Sequence, residues 1–314
     1  MLTHLVCHHT LIYQSSFFSL AKAINDGCPL PEEYSALLQT LRDMAECAEK
    51  SVGKPPLIAE EQMAALCNSL LQHASDADMA MALARLMSKL AENEGNLSNI
   101  AKFGGLEGII KALIANPENT PLLRVLIHLL EKFVKNDVFK EKIGQLDGCK
   151  ALLLCLTTHC DARFVNELDA ERDEEDGVAP TSIRGDLSDH DVMLVAMLSL
   201  IANLSFNSRS NIGRILTEDG VAAIDGTLRF YAAKPRVLEA AMANLSNWMA
   251  GESDCMEAVG ERCTPRIIAT VSEHPADAKL FKMTMRAMGN MSTVDENIAA
   301  LINQVRSVLF TVTF

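Results

Sequence analysis

A chain of 314 residues with 41 acidic and 28 basic side chains carries a formal charge of −13. That balance argues against non-specific nucleic-acid binding, which depends on basic groups displacing phosphate counterions. Apolar residues make up 49% and aromatics 5%, a mixture suited to closely packed helices with Leu, Ala, Ile and Met turned inward.

The first 57 residues read as capping helices followed by a degenerate repeat. The start, MLTHLVCHHTLIYQSSFF, lacks a positive leader, and its apolar run is broken by His and Ser, so it makes a poor signal peptide. Spacing predicts a helix over 11–24, stopped by Gly27, Pro29 and Pro31, and a second over 33–50. Gly53, Pro55 and Pro56 then mark a turn.

Regular repeats are expected over 58–160. Residues 59–73 and 76–92 read as antiparallel helices, with Ser75-Asp76 supplying the cap of the second. Next come a short helix over 94–103, a Gly104-Gly105 corner, a middle helix over 106–115, and a long one over 120–135 with Pro121 in its first turn. Glycine at the corner lets two helices meet at a steep angle with no side chain between them. The pattern restarts with 138–146, Asp147-Gly148 and 149–159, but its long helix is delayed.

An insertion, 161–191, fills the delay. It holds 11 acidic residues and 3 arginines, too polar to repay its ordering entropy, and is expected to be disordered. Two readings stand: a plain surface loop, or an acidic tail that covers a binding surface, with Thr181 and Ser182 open to phosphorylation. Repeats resume over 192–292, as helices at 192–206, 210–216, 221–231, 235–249, 254–260, 265–273 and 276–291. Residues 293–314 read as an incomplete repeat or cap. They end on VLFTVTF with no polar face, which suggests a packed hook, a shortened chain or self-association through the apolar end.

A period ties these elements together. Asn203, Asn247 and Asn290 close comparable apolar runs at steps of 44 and 43 residues. Lys89 and Lys132 stand 43 apart, as do Gly105 and Gly148, and only the step from Lys132 to Asn203 is irregular, at 71. A helical period in the low forties marks a solenoid rather than a globular enzyme domain.

Chemistry-bearing motifs are few. Nine cysteines, odd in number and irregularly spaced, imply reduced thiols and a cytoplasmic or nuclear setting. Cys149, Cys155, His159 and Cys160 cluster in sequence without a paired C-x-x-C knuckle, so no metal is expected there. Asn96, Asn203, Asn244 and Asn290 lie in N-x-S sequons, yet repeat helices leave no room for a glycan. No phosphate loop, dinucleotide fingerprint or nucleophile elbow is present, no stretch reaches the roughly eighteen apolar residues of a membrane span, and neither catalysis nor a cofactor is expected.

A short helix, a glycine corner, a middle helix and a long helix ending in strings such as AMLSLIANLS (196–205) and AAMANLSNWM (240–249) resemble the armadillo repeat. The resemblance covers roughly 59–291 and is weakest at Cys263-Thr264, where the corner glycine is missing. HEAT repeats are the near rival, but lack the separate short helix and the glycine corner. The resemblance implies an all-α, right-handed superhelical solenoid of three-helix repeats, with long third helices lining a groove. In peptide-binding members an asparagine there clamps an extended ligand, a role that would fall on Asn203, Asn247 and Asn290. An amide suits it because it both donates and accepts.

The nuclear import adaptors of that family carry a tryptophan four residues before the asparagine. Here those places hold Ser199, Ala243 and Arg286, and Trp248, adjacent to Asn247, is expected to point into a packing seam. A lysine-rich signal would find no aromatic walls. Through the six units the four-before position reads Arg42, Arg85, His128, Ser199, Ala243 and Arg286, and the asparagine position reads Glu46, Lys89, Lys132, Asn203, Asn247 and Asn290. Residues four apart share a helix face, so the N-terminal half of the groove should be basic and favour an acidic or phosphorylated peptide. The expected function is a non-enzymatic scaffold or adaptor for an extended protein segment. The alternative is a structural subunit of a cytoskeletal, ciliary or trafficking assembly that uses end and convex surfaces.

Overall fold

The computed structural model describes residues 31–50, 53–160, 188–250 and 253–312. Among them are fifteen α-helices and no strand, arranged as an all-α solenoid. The helix expected over 11–24, residues 161–187 of the acidic stretch and the side chains of the VLFTVTF ending lie outside the described residues.

The chain divides into two compact units, 1–146 and 147–314. The first holds α1 (Pro31–Lys50), α2 (Glu60–Gln72), α3 (Ala77–Leu90), α4 (Glu94–Lys102), α5 (Gly105–Ala115), α6 (Thr120–Phe133) and α7 (Asp137–Gln145). Its long helices pack in series, α1 on α3 and α3 on α6, while α2 packs on α5. The second holds α8 (Gly148–His159), α9 (Asp189–Ser205), α10 (Arg209–Thr217), α11 (Gly220–Phe230), α12 (Pro235–Trp248), α13 (Ser253–Glu273), α14 (Ala278–Met291) and α15 (Asp295–Val312). Here α9, α12 and α14 form the long series, α8, α11 and α13 the middle series, and α15 packs on α13.

Why the chain breaks where it does is visible at the corners. At three corners the residue before the middle helix is left-handed, Gly104 at φ 84°, Asp147 at 62° and Asp219 at 54°. The glycine that follows is set by close approach: a Cβ on Gly105 would sit 2.8 Å from the Ile100 carbonyl oxygen, and one on Gly220 would sit 2.9 Å from that of Ile215. At the one corner without glycine the expectation of two helices, 254–260 and 265–273, gives way to the single helix α13. With Cys263 in the glycine's place no left-handed break forms there, and the helix runs on through Pro265. Proline has no N–H to return to the carbonyl of Glu261; one residue earlier, the Thr264 hydroxyl donates to the Gly260 carbonyl, at 2.5 Å.

Helix starts follow capping chemistry. Asp76 accepts from the Met79 amide, Asn119 from Leu122 and Asp277 from Leu280. Ser188 and Asp191 form a reciprocal capping box on α9, so the helix begins at Asp189, three residues before the apolar pattern shows it. Asp191, the last residue of the acidic stretch, is therefore buried, and its carboxylate is 2.8 Å from Lys234 Nζ.

Successive elements are also tied by buried asparagines near the starts of α4, α10 and α15. Asn96 Nδ2 donates to the carbonyls of Pro56 (2.9 Å) and Leu90 (3.1 Å), and its Oδ1 accepts from the Ile58 amide (2.9 Å). Asn211 Nδ2 donates to Leu204 at 2.9 Å, and Asn297 Nδ2 to Met256 at 2.8 Å. Leu90 and Leu204 each follow the position that holds Lys89 or Asn203, so the same amide closes a long helix onto the next short one in both units.

Candidate functional site: the exposed row of the long helices

One row of side chains runs along each long-helix series, and it is the row predicted from the period. Lys132 Nζ on α6 donates to the Ser88 carbonyl of α3 at 2.7 Å. Asn247 Nδ2 on α12 donates to Ala202 of α9 at 3.3 Å, and Asn290 Nδ2 on α14 to Ser246 of α12 at 3.0 Å. Each acceptor is the residue just before the equivalent position one repeat earlier, Lys89, Asn203 or Asn247. The register inferred from sequence therefore appears as a repeated interhelical bond. The amides of Asn247 and Asn290 thus serve packing first. One N–H of each holds the neighbouring helix, leaving the oxygen and the second N–H.

The first unit gathers the basic members. An open pocket of about 670 Å³ lies over α1, α3 and α6, and its lining includes Arg85, Lys89, Arg124, His128 and Lys132 with Glu49 and Glu92. Four of these five basic side chains are those expected from the sequence. Arg124, one further turn back on the row of His128 and Lys132, is legible at the same i, i+4 spacing once the row is read across three turns. Glu49 and Glu92 fall outside that spacing, and the sequence pattern does not find them.

Electrostatics within the pocket are graded. Arg85 makes a two-pronged pair with Glu49, Nε to Oε1 at 2.9 Å and Nη2 to Oε2 at 2.6 Å, which raises the guanidinium above its ordinary range. Lys89 Nζ is 2.8 Å from Glu92, and His128 Nδ1 is 3.4 Å from Glu131. Burial lowers the Lys132 ammonium, aided by the nearby Lys89 and Lys135 and opposed by Glu92. Arg42 pairs with Asp78 at 3.0 Å, and Glu46 with Lys50. Besides His128, the pocket lining carries four lysine or arginine side chains against two carboxylates.

The second unit carries the row in neutral form. Asn203 is exposed on α9 with Ser199 half-buried a turn before it; Asn247 and Asn290 are half-buried, and Arg286 is exposed on α14. Trp248 is fully buried, its Nε1 donating to Ser205 Oγ at 3.1 Å. Phe133, one residue after Lys132, fills the same place in the first unit and is equally buried.

The cysteine-rich stretch has other partners. Burial pushes the Cys155 thiol up to about 12 and the Cys160 thiol up to about 11, and Cys160 Sγ lies 3.4 Å from Thr227 Oγ1. Among the described residues no three His, Cys, Asp or Glu side chains converge on a metal position, and no described helix is long and apolar enough to cross a membrane.

Comparison with known proteins places the fold. An engineered protein of known structure superposes with a TM-score of 0.57 at 17% identity, over 88% of this chain and 97% of that one. A designed armadillo repeat protein in complex with the peptide (KR)4 gives 0.54 at 14% identity, over 87% and 98%. No protein-family model and no curated protein matches the sequence. At such identities the likeness speaks for architecture alone: this chain has an all-helical solenoid fold related to armadillo-type repeat proteins.

Proposed function

We propose that the chain is a non-enzymatic protein-binding scaffold whose first unit seats an acidic or phosphorylated stretch of an extended peptide over α3 and α6. The observation that carries this reading is the pocket in which Arg85, Lys89, Arg124, His128 and Lys132 converge within a chain of net charge −13. Such a local reversal of sign steers and orients an anionic partner more than it adds packing energy. Glu49 already holds Arg85 in the bidentate manner that a ligand carboxylate or phosphate would use, so an incoming anion would take over an arranged fork. The designed relative binds a Lys/Arg peptide; the reading for this chain is the opposite charge on a related scaffold.

The test is fluorescence anisotropy with an extended glutamate-rich peptide bearing one phosphoserine, against the same peptide with lysine for glutamate and serine for phosphoserine. Wild type should prefer the acidic peptide, with affinity falling as salt rises. Arg85→Ala combined with Lys132→Asn should weaken it at least about tenfold, the loss of one to two charge-assisted bonds. Equal affinity for both peptides, or an unchanged double variant, would overturn the reading.

A further inference from the structure

Three of the five basic side chains in the first unit's pocket already face a carboxylate of the chain itself. Arg85 holds Glu49 through two nitrogens, at 2.9 and 2.6 Å, Lys89 Nζ lies 2.8 Å from Glu92, and His128 Nδ1 lies 3.4 Å from Glu131. Lys132 differs, because its ammonium donates to the neutral Ser88 carbonyl and keeps its charge. Of the three pairs, Arg85 with Glu49 has the geometry an arriving anion would need. Both side chains are exposed, and they come from different helices, α3 and α1, so the carboxylate can swing off the guanidinium without unwinding either.

Exchange at that fork sorts anions by charge. A glutamate or aspartate that displaces Glu49 puts one carboxylate where another was. The two-pronged bond made equals the one broken, and Glu49 stays beside the newcomer as a like charge, so such a ligand gains nothing at Arg85. A phosphate monoester is different in kind, because near pH 7 it carries a charge of about −1.5 to −2 and three acceptor oxygens. Two oxygens fill the fork. The third, with the surplus charge, remains for the ammonium groups of Lys89 and Lys132 in the same pocket.

We infer that Glu49 is a built-in competitor that closes the pocket to plain carboxylates, so that a partner peptide is read through a phosphoserine or phosphothreonine and not through acidity as such. Such selection presupposes the peptide seat proposed above over α3 and α6, and it narrows the ligand from acidic or phosphorylated to phosphorylated. Glu49 is then the specificity-determining residue of the pocket, set against the wrong anion as much as Arg85 is set toward the right one.

Three extended peptides serve as probes, identical and uncharged except for serine, glutamate or phosphoserine at one central position. In anisotropy titrations wild type should bind the phosphoserine peptide at least about tenfold more tightly than the glutamate peptide, and glutamate within about twofold of serine. Glu49→Gln vacates the fork, so the glutamate peptide should now bind about three- to fivefold more tightly than serine, and the phosphoserine peptide should tighten too. Glu49 is exposed and glutamine matches its shape, so circular dichroism and the melting temperature should stay near wild type. Glu60→Gln removes the same net charge from the exposed Lys102 pair outside the pocket, and should leave glutamate and serine equal. Glutamate matching phosphoserine in wild type, with both well above serine, would leave the acidic-peptide seat standing and overturn the competitor role. So would a glutamate peptide that gains nothing from Glu49→Gln, or gains as much from Glu60→Gln. Three peptides bound alike by both wild type and Glu49→Gln would remove the seat itself, and the proposed function with it.

Discussion

In the first unit an ammonium on a four-carbon stem reaches the Ser88 carbonyl; in the second, the short amides of Asn247 and Asn290 reach Ala202 and Ser246. The bond is the same and the group left facing outward is not. At Lys132, Asn247 and Asn290 the position holds a donor that ties one long helix to the previous one, and function is written in what that donor leaves over. Lysine leaves a charge, which the first unit gathers into a pocket; asparagine leaves an oxygen and one N–H. Structure explains why the row recurs, and chemistry explains why its halves differ.

If the two halves are the same scaffold with different ends, the residue behind the row should matter equally in both. Phe133 and Trp248 each follow a row residue and are fully buried. Phe133→Ala and Trp248→Ala should each destabilise by about 3–5 kcal/mol, the cost of a large buried aromatic and the cavity it leaves. Denaturant titration measures it. A loss below about 1 kcal/mol at either site would show that the register is not shared.

The next effect concerns the amide that closes each long helix onto the following short one. Asn96→Ala strands the Ile58 amide and the Pro56 and Leu90 carbonyls, and should cost about 2–4 kcal/mol. Asn211→Ala should also destabilise, through loss of its bonds to the Leu204 carbonyl and the Arg214 guanidinium. Melting both variants sharpens the comparison, because a loss at one site alone would show that the clasp is not shared by the two units.

These positions show how far the sequence could be read. The period, the glycine corners and the register of Lys132, Asn247 and Asn290 were legible because helix spacing and left-handed turns leave residue-level marks. The clasp formed by Asn96 and Asn211 was not, because a buried asparagine in a polar short helix looks like any surface amide until its neighbours are known. Continuity through Cys263 was hidden for a related reason: the loss of one glycine removes a break, and Pro265, usually a stop signal, sits inside the resulting helix. In the pocket, the cations of α3 and α6 lay on the i, i+4 rows, whereas Glu49 enters from α1, a helix more than thirty residues away from Arg85 in sequence.

Ion pairs distinguish the units again, on a smaller scale. Arg42–Asp78 in the first is exposed on both sides, and Asp78→Asn should change stability by less than about 0.5 kcal/mol. Asp191 in the second is buried. Burial alone would push its carboxyl up, but the Lys234 ammonium and the Ser188 amide and hydroxyl outweigh it and hold the carboxyl below its ordinary value. A depressed carboxyl contributes stability that is complete above its unfolded value, about 3.9, and is lost as pH falls through the lower folded value. Asp191→Asn should therefore cost about 1–2 kcal/mol at pH 7, discounted for the half-exposed Lys234, and the deficit should shrink in strong acid. Chemical unfolding at pH 7 and pH 2 gives both numbers.

The smallest change in stability belongs to the exchange that puts the comparison itself at risk. Lys132→Asn converts the first unit's row to the chemistry of the second. If both side chains serve the same interhelical bond, asparagine should still reach the Ser88 carbonyl, and stability at pH 7 should stay within about 0.5 kcal/mol of wild type. The sign of its pH dependence is fixed by the lowered ammonium. Below its folded value Lys132 is charged in both states and its burial costs stability in full, and that cost fades as pH rises toward the unfolded value near 10.4. Any advantage of the asparagine variant should therefore be greatest at neutral pH and decline toward pH 10. Affinity for the acidic peptide should fall about three- to tenfold in the same variant, with a shallower dependence on salt. Unchanged affinity beside unchanged stability would mean that the charge at this position is incidental, and that the two halves of the row differ in residue type without differing in use.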